Sequence, residues 1–183
     1  GAYAVAGWEP GFSSTLVFVA NDNTVRRLDG YTPTRISPPD LERLIEAVED
    51  PDDIEASVHV FSGHQCVVVT GPDWSWVFDL STSEWWERKS YGLERWRARF
   101  GVTAFDEWLV FDRETGKVFA VDPNAKTEDG EPLVTDLRSS QAHRFPGRMW
   151  VKRASFDFVT GVGIDAGEDP IESDPRVLIS YSD

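Results

Sequence analysis

Cysteine is represented by a single residue, Cys66, in this chain of 183 residues. One thiol cannot form an intrachain disulfide, and a zinc site built from cysteines is excluded for the same reason. Because Cys66 precedes the apolar residues Val67–Val69, we expect a buried and inert thiol rather than a nucleophile.

Positive charge is also scarce, with 18 Lys and Arg against 32 Asp and Glu and a net charge of -14. Such a chain has no general affinity for nucleic-acid phosphates, although a local basic patch leaves direct contact with DNA open. No apolar run approaches the roughly 20 residues that a membrane-spanning helix needs, so no membrane partner is expected.

Catalytic signatures are missing as well. The sequence has no phosphate-binding Walker loop and no Gly-x-Ser-x-Gly motif, and His59 and His64 lie too far apart for a zinc-protease motif. The acidic stretch 49–55 lacks the glycine and the ordered spacing of a calcium loop, so we interpret it as a solvated loop. We assign no catalytic, metal or cofactor-binding residue and expect no enzyme.

Aromatic residues are abundant, with eight Trp and eleven Phe. Aromatic and β-branched side chains favour strands, and short apolar runs separated by Asn, Asp and Gly dominate the chain. The exception is residues 39–49, where Leu41, Leu44, Ile45 and Val48 follow helical spacing behind Pro38-Pro39-Asp40. The sequence therefore predicts a mainly β fold with one short amphipathic helix.

Three aspartates mark a repeat, because Asp29, Asp79 and Asp122 each follow a pair of apolar strands. Asp29 and Asp79 are 50 positions apart, and Asp79 and Asp122 are 43 apart. A period of this length with about four short strands is typical of β-propeller blades. An aspartate side chain can accept the backbone N–H two residues later, so we interpret these residues as turn formers rather than catalytic acids.

The repeat predicts about three antiparallel blades over residues 1–143. A C-terminal antiparallel β segment over residues 144–183 is expected to continue the same domain. Three blades do not close a ring, and a blade needs neighbours to bury both faces. We therefore expect either part of a larger propeller, with the sequence a fragment of a longer protein, or a stack of blades capped by other elements.

Two clusters mix basic and aromatic residues. Such clusters suit protein interfaces, which favour Trp, Tyr and Arg. They can also grip single-stranded nucleic acid, or they can be ordinary packing of Arg on Trp between blades. The net negative charge favours the protein interface over nucleic acid. The candidate interface residues are Trp85, Trp86, Arg95, Trp96, Arg97, Arg99, Arg148 and Trp150.

Two segments resemble a known family. Residues 25–37 contain the run LDGYTPTRIS before the predicted helix, and residues 174–183 read DPRVLISYSD. Both are similar to segments of the packaged-DNA stabilisation proteins of short-tailed phages. The resemblance covers nearly the whole chain with short motifs, and the glycine-rich turn that normally follows the second motif is missing.

The resemblance implies a propeller-containing, oligomeric protein of the phage tail hub or head-completion assembly. Such a protein is made in the host cytoplasm and located in the virion, where it docks on the portal or other tail proteins and helps to retain packaged DNA. It implies homo-oligomers and no catalytic residues. Two alternatives stay open: a glycan-binding or sialidase-like propeller using Trp74, Trp85, Trp86 and Trp96, and a bacterial propeller adaptor without viral context.

Overall fold

The computed structural model describes residues 4–12, 15–125, 127–138, 146–147, 150, 152–155 and 177–180. Contacts divide the chain into two units, Gly1–Leu133 and Val134–Asp183. Across the described residues the chain is mainly β, as predicted, and no helix there is long and apolar enough to cross a membrane.

The first unit begins with two blades, each a four-stranded antiparallel sheet in chain order. The strands of blade 1 are β1 (Val5–Ala6), β2 (Val17–Val19), β3 (Val25–Asp29) and β4 (Thr32–Arg35). The strands of blade 2 are β5 (Glu55–Phe61), β6 (His64–Thr70), β7 (Ser75–Asp79) and β8 (Glu84–Glu87).

Blade 3 has three strands among the described residues, in the order β9, β10, β11. They are β9 (Ala98–Ala104), β10 (Glu107–Asp112) and β11 (Val118–Ala120). A small hairpin follows, made of β12 (Thr127–Glu128) and β13 (Glu131–Pro132). Three consecutive antiparallel sheets confirm the predicted propeller-like blades.

Blades 2 and 3 open in the same way. Ser62 and Gly63 join β5 to β6 with positive φ angles of 48° and 81°, and Phe105 and Asp106 join β9 to β10 with angles of 56° and 64°. Two residues at positive φ match the right-handed twist of the flanking strands, which makes this turn a tight hairpin. The first two strands of the two blades are therefore equivalent.

The first strands of the blades lie against one another, since β1 contacts β5 and β5 contacts β9. Between blades 2 and 3, the indole Nε1 of Trp108 donates to the carbonyl oxygen of Val58 at 3.1 Å. Every residue from Cys66 to Thr70 in β6 is buried, because this strand packs on both faces. Cys66 is fully buried, as predicted, and burial raises the pKa of its thiol to about 12, which disfavours the reactive thiolate.

The helix α1 spans Pro39–Glu46 and buries Leu41 and Ile45, which lie one turn apart. It ends earlier than the predicted residue 49. Asp50 has an extended backbone, as expected before a proline, and Pro51–Asp53 then forms a 3-10 turn. The helix connects blade 1 to blade 2.

The repeating aspartates lie at the end of the third strand of each blade or, for Asp122, two residues after it. Asp79 accepts the N–H of Ser81 at 2.7 Å, and Asp122 accepts the N–H of Asn124 at 2.8 Å, which confirms their role in turns. Asp29 also ends its strand, but its carboxylate instead accepts the Nε–H of Arg27 at 2.8 Å. The difference arises because the turn after Asp29 has two residues, and Asp29 itself pairs with Thr32 in the ladder.

The second unit contributes little to the described fold. Arg138 pairs with Asp136 at 2.8 Å, and Trp150 is 82% exposed. The predicted C-terminal β segment over residues 144–183 falls mostly outside the described residues. It stays a prediction, together with the boundary at residue 143.

Candidate functional site: an arginine cluster between two blades

Four strand ends of blades 2 and 3 converge at one end of the first unit. β5 begins at Glu55 and β9 begins at Ala98, while β6 ends at Thr70 and β10 ends at Asp112. Because successive strands are antiparallel, a strand that ends lies beside the start of its neighbour. The segments before β5 and β9 and the loops after β6 and β10 therefore meet there.

Two arginines of blade 3 share one carboxylate of blade 2. The Nη2 atom of Arg99 lies 2.5 Å from Oε1 of Glu55, and the Nη2 atom of Arg113 donates to Oε2 of the same residue at 3.0 Å. The side chains of Glu55 and Arg113 are only 15% and 11% exposed. Hydrogen bonds between charged groups are stronger than those between neutral groups. Because Glu55 belongs to blade 2 and both arginines belong to blade 3, these bonds join the two blades.

The donors of these two arginines are not fully used. Within the described part of the chain, the buried Nε atoms of Arg99 and Arg113 have no hydrogen-bond partner. Burial lowers the pKa of Arg113, and the charge of nearby Arg95 lowers it further, against the opposing effect of Glu55.

Arg95 completes the cluster. Its Nη1 donates to the carbonyl oxygen of Gly71 at 3.1 Å, which fixes the guanidinium beside the loop that follows β6. A cleft of about 320 Å³ opens at this point. The residues that line it are Asp52, Asp53, Glu55, Pro72, Arg95 and Arg113.

Arg97 lies at the same end but in the interior. It forms a bidentate pair with Asp112, with Nε–Oδ1 and Nη2–Oδ2 distances of 2.8 and 2.7 Å. Nη2 also donates to Asp129 of the β12–β13 hairpin at 3.0 Å. The Arg97 hydrogen bonds hold the pKa of Asp112 well below its ordinary value, although burial opposes this, so the pair stays charged and structural.

Trp96 is buried as well. Its Nε1 donates to Glu128 at 2.7 Å, and the guanidinium of Arg88 lies 4.0 Å above the indole ring. This is the packing of Arg on Trp that the sequence left open as the third interpretation. Trp74 is buried too, so Trp74 and Trp96 offer no ring face on which a sugar could stack.

The remaining candidate interface residues are more accessible. Trp85 and Trp86 on β8 are half-buried, and the Nε1 of Trp85 donates to the carbonyl oxygen of Ile36 at 2.7 Å. Trp150 is exposed, whereas Arg148 lies outside the described residues. The interface role of these residues stays a prediction.

The structure thus brings together Arg95, Arg97 and Arg99, which the sequence had grouped by proximity alone. It adds Arg113, which the sequence analysis had not singled out, and Glu55, which it had placed in a solvated acidic loop. No local sequence pattern could have predicted the contact between Glu55 and Arg113, because 58 positions separate the two residues. Among the described residues, no cluster of His, Cys, Asp and Glu could hold a metal ion.

Comparison with models of known protein families gives a match over the blades. A family model described as Bacteriophage P22 Gp10, beta-propeller, matches residues 12–126, which is more than half of the chain and spans most of the three blades. A search of curated proteins gives no match.

Proposed function

This chain belongs to the bacteriophage P22 Gp10 β-propeller family, and we propose that it docks on the portal or on another tail protein and helps to retain packaged DNA. The family is one of phage structural proteins that stabilise DNA, which supports a virion component. The main support for the proposal is the match of the family model to residues 12–126, which include most of the three blades.

The mechanism is passive. A protein that closes an exit has to keep its shape under load, and the blades are joined by contacts suited to that task. Trp108 hydrogen-bonds to Val58 across blades 2 and 3, and Glu55 holds Arg99 and Arg113 at one end. The blades therefore act as a rigid body whose loops and outer strands contact neighbouring subunits, and no catalytic step is needed.

Docking on protein accounts for DNA retention better than a direct grip on DNA. A net charge of -14 repels the phosphate backbone, so the electrostatic attraction on which DNA affinity depends is missing. The accessible members of the predicted interface, Trp85, Trp86, Arg95, Arg99 and Trp150, are the side chains that we propose to contact protein partners. Repeated copies in the particle would form a homo-oligomer.

The proposal is tested in the phage that encodes the chain. Particles assembled without the protein are expected to package DNA and then release it, and adding the purified protein back should restore retention. Mass spectrometry of intact tail assemblies would give its partners and copy number. Particles that lack the protein yet keep their DNA would contradict the proposal.

A further inference from the structure

Among the described residues of the first unit, the three most exposed aromatic side chains lie in connections at one end of the blades. Tyr31 is fully exposed, Phe105 is 90% exposed and Trp8 is 70% exposed. Trp8 follows β1, Tyr31 lies between β3 and β4, and Phe105 lies between β9 and β10. Because neighbouring strands are antiparallel, the connections after the first and third strands of a blade share one end. The arginine cluster lies at the other end, where β5 and β9 begin.

The segments that carry Trp8 and Phe105 are in contact, although they belong to different blades. The hydroxyl of Thr103, two residues before Phe105, donates to the carbonyl oxygen of Pro10 at 3.2 Å. A Cβ atom at Gly11 would come within 2.4 Å of the same hydroxyl oxygen, so the loop after β1 lies directly on the end of β9. The two exposed aromatic side chains are therefore carried by neighbouring segments.

Phe105 does not follow the local rules for its position. Its φ angle of 56° lies in the left-handed region, where a bulky side chain is uncommon and where hairpin turns prefer Asn, Asp or Gly. The equivalent turn of blade 2 has Ser62 and Gly63. Because Phe105 is exposed, it contributes almost no burial that could offset the strain. A residue that strains the backbone without packing in the core indicates a function outside the fold.

The charges around this turn are negative. Asp106 and Glu107 directly follow Phe105, and both are exposed. The sequence has no Lys or Arg before Arg26 and none within residues 100–112. Aromatic ring faces attract Lys and Arg, and carboxylates pair with the same side chains. This surface therefore complements a segment that is both apolar and basic, whereas it repels the phosphates of DNA.

We propose that this end of the first unit docks a protein segment whose apolar side chain contacts Trp8 and Phe105 while a Lys or Arg beside it pairs with Asp106 or Glu107. The inference rests on the proposed function for the identity of the partner as a portal or tail protein. Protein interfaces are enriched in aromatic anchors, and this pair is exposed and held on connected backbone segments. The surface is separate from the arginine cluster and from the candidate interface residues predicted from the sequence.

The deciding variant is Phe105→Asn, because asparagine tolerates the left-handed backbone and lacks the aromatic ring. Its urea midpoint for unfolding should equal or exceed that of the wild type. Its binding to particles assembled without the protein should weaken at least about fivefold, which corresponds to about 1 kcal/mol. Tyr91→Ala is the matched control, since Tyr91 is also exposed but lies in the connection between β8 and β9 at the other end. It should bind like the wild type.

The basic part of the partner segment is tested by removing the negative charges. The double variant Asp106→Asn/Glu107→Gln should weaken binding to the same particles about threefold, as for exposed ion pairs. Added salt should weaken binding of the wild type more than binding of this variant, because salt screens exposed charges. Equal binding of the two proteins at low salt would contradict the basic character of the partner.

The contact itself can be identified in assembled particles. A photoreactive p-benzoyl-phenylalanine in place of Phe105 should crosslink to a portal or tail protein, at a segment that combines apolar residues with Lys or Arg. Mass spectrometry of the crosslinked peptide reads this directly. A crosslink to a second copy of the chain would assign the surface to self-association, and a crosslink to DNA would assign it to nucleic acid. Either result would overturn the proposal.

Two further results would overturn it. A lower urea midpoint for Phe105→Asn would show that the ring serves the fold, and unchanged particle binding would show that it contacts no partner. Particles that bind Phe105→Asn like the wild type and retain their DNA would contradict this inference alone. Particles that keep their DNA without the protein would instead contradict the proposed function.

Discussion

At the scale of single residues, charge inside the first unit is balanced by hydrogen bonds. Asp112 accepts from Arg97 and also from the N–H groups of Glu114 and Thr115, so one carboxylate joins an ion pair to a turn. Its side chain is fully buried, and that of Arg97 is 11% exposed. A buried charge that loses its partner is costly, whereas a surface pair contributes little.

Arg97→Met should therefore destabilise the protein by about 3–5 kcal/mol, because Asp112 keeps its charge without its partner. The double variant Arg97→Met/Asp112→Asn should recover part of that loss, since the amide oxygen still accepts from the turn. Urea unfolding measures both. Arg27→Met, which breaks the exposed pair with Asp29, should cost less than about 1 kcal/mol and serves as the matched control. Equal losses of stability in Arg97→Met and Arg27→Met would show that the Arg97–Asp112 pair contributes no more than an exposed ion pair.

His59 gives the fold a dependence on pH. Burial lowers the pKa of this imidazole to about 3, and the nearby charge of Arg88 lowers it further. Between pH 3 and the ordinary pKa of about 6.5, the unfolded chain binds a proton that the folded chain does not. The free energy of unfolding contributed by His59 therefore rises with pH across this interval and is lost on acidification.

From pH 7.5 to pH 5, His59 alone should reduce the free energy of unfolding by about 2 kcal/mol. Carboxylates titrate mostly below this window, so their contribution is small there. His59→Met removes the titrating group at similar volume and should flatten the profile. Urea unfolding at several pH values compares the two proteins, and parallel profiles would show that His59 is not the source.

At the scale of strands, close packing between blades depends on residues that local pattern does not reveal. Gly101 lies in β9 where a Cβ atom would come within 2.1 Å of the Val58 carbonyl oxygen and 2.6 Å of the Trp108 Nε1. These atoms form the hydrogen bond between blades 2 and 3. A side chain at position 101 would force the two first strands apart.

Gly101→Ala is accordingly expected to destabilise the first unit by about 1–3 kcal/mol through overpacking. Its effect can be measured as a lower urea midpoint for unfolding. Glu107→Ala, at an exposed position on the neighbouring strand β10, should change the midpoint little. A Gly101→Ala protein as stable as wild type would mean that the blades are not packed this closely.

The strands also show what a sequence can reveal of this fold. Apolar runs and turn residues predicted β6, β7 and β10 and the short helix, because these signals are local. The sequence did not reveal the burial of Trp96, since its hydrogen-bond partner Glu128 lies 32 positions away along the chain. The role of Arg113 was hidden for the same reason. Its local sequence is that of a turn, and the residue becomes part of a site only because β9 and β10 lie beside β5.

At the scale of the whole molecule, the net charge and the family of the chain point in opposite directions on the interaction with DNA. The chain belongs to a family of phage proteins that stabilise DNA, yet its net charge of -14 repels DNA. The two are reconciled if the protein retains DNA by closing its exit while its contacts are made with protein. The arginines at the blade ends support the absence of direct DNA contact. The charges of Arg97 and Arg99 are already paired with those of Asp112 and Glu55, so they do not attract phosphates.

The purified chain is therefore expected to show no saturable binding to duplex DNA at low salt. Nonspecific DNA-binding proteins bind at roughly 10⁻⁴ to 10⁻⁶ M even at physiological salt, and they bind more tightly as salt falls. Fluorescence anisotropy of a labelled duplex at up to about 100 µM protein would detect such binding. A steep loss of affinity with added salt would reveal phosphate contacts and favour a direct grip on DNA. A flat signal, together with capture of the chain by a portal or tail protein, is the result that closure by docking requires.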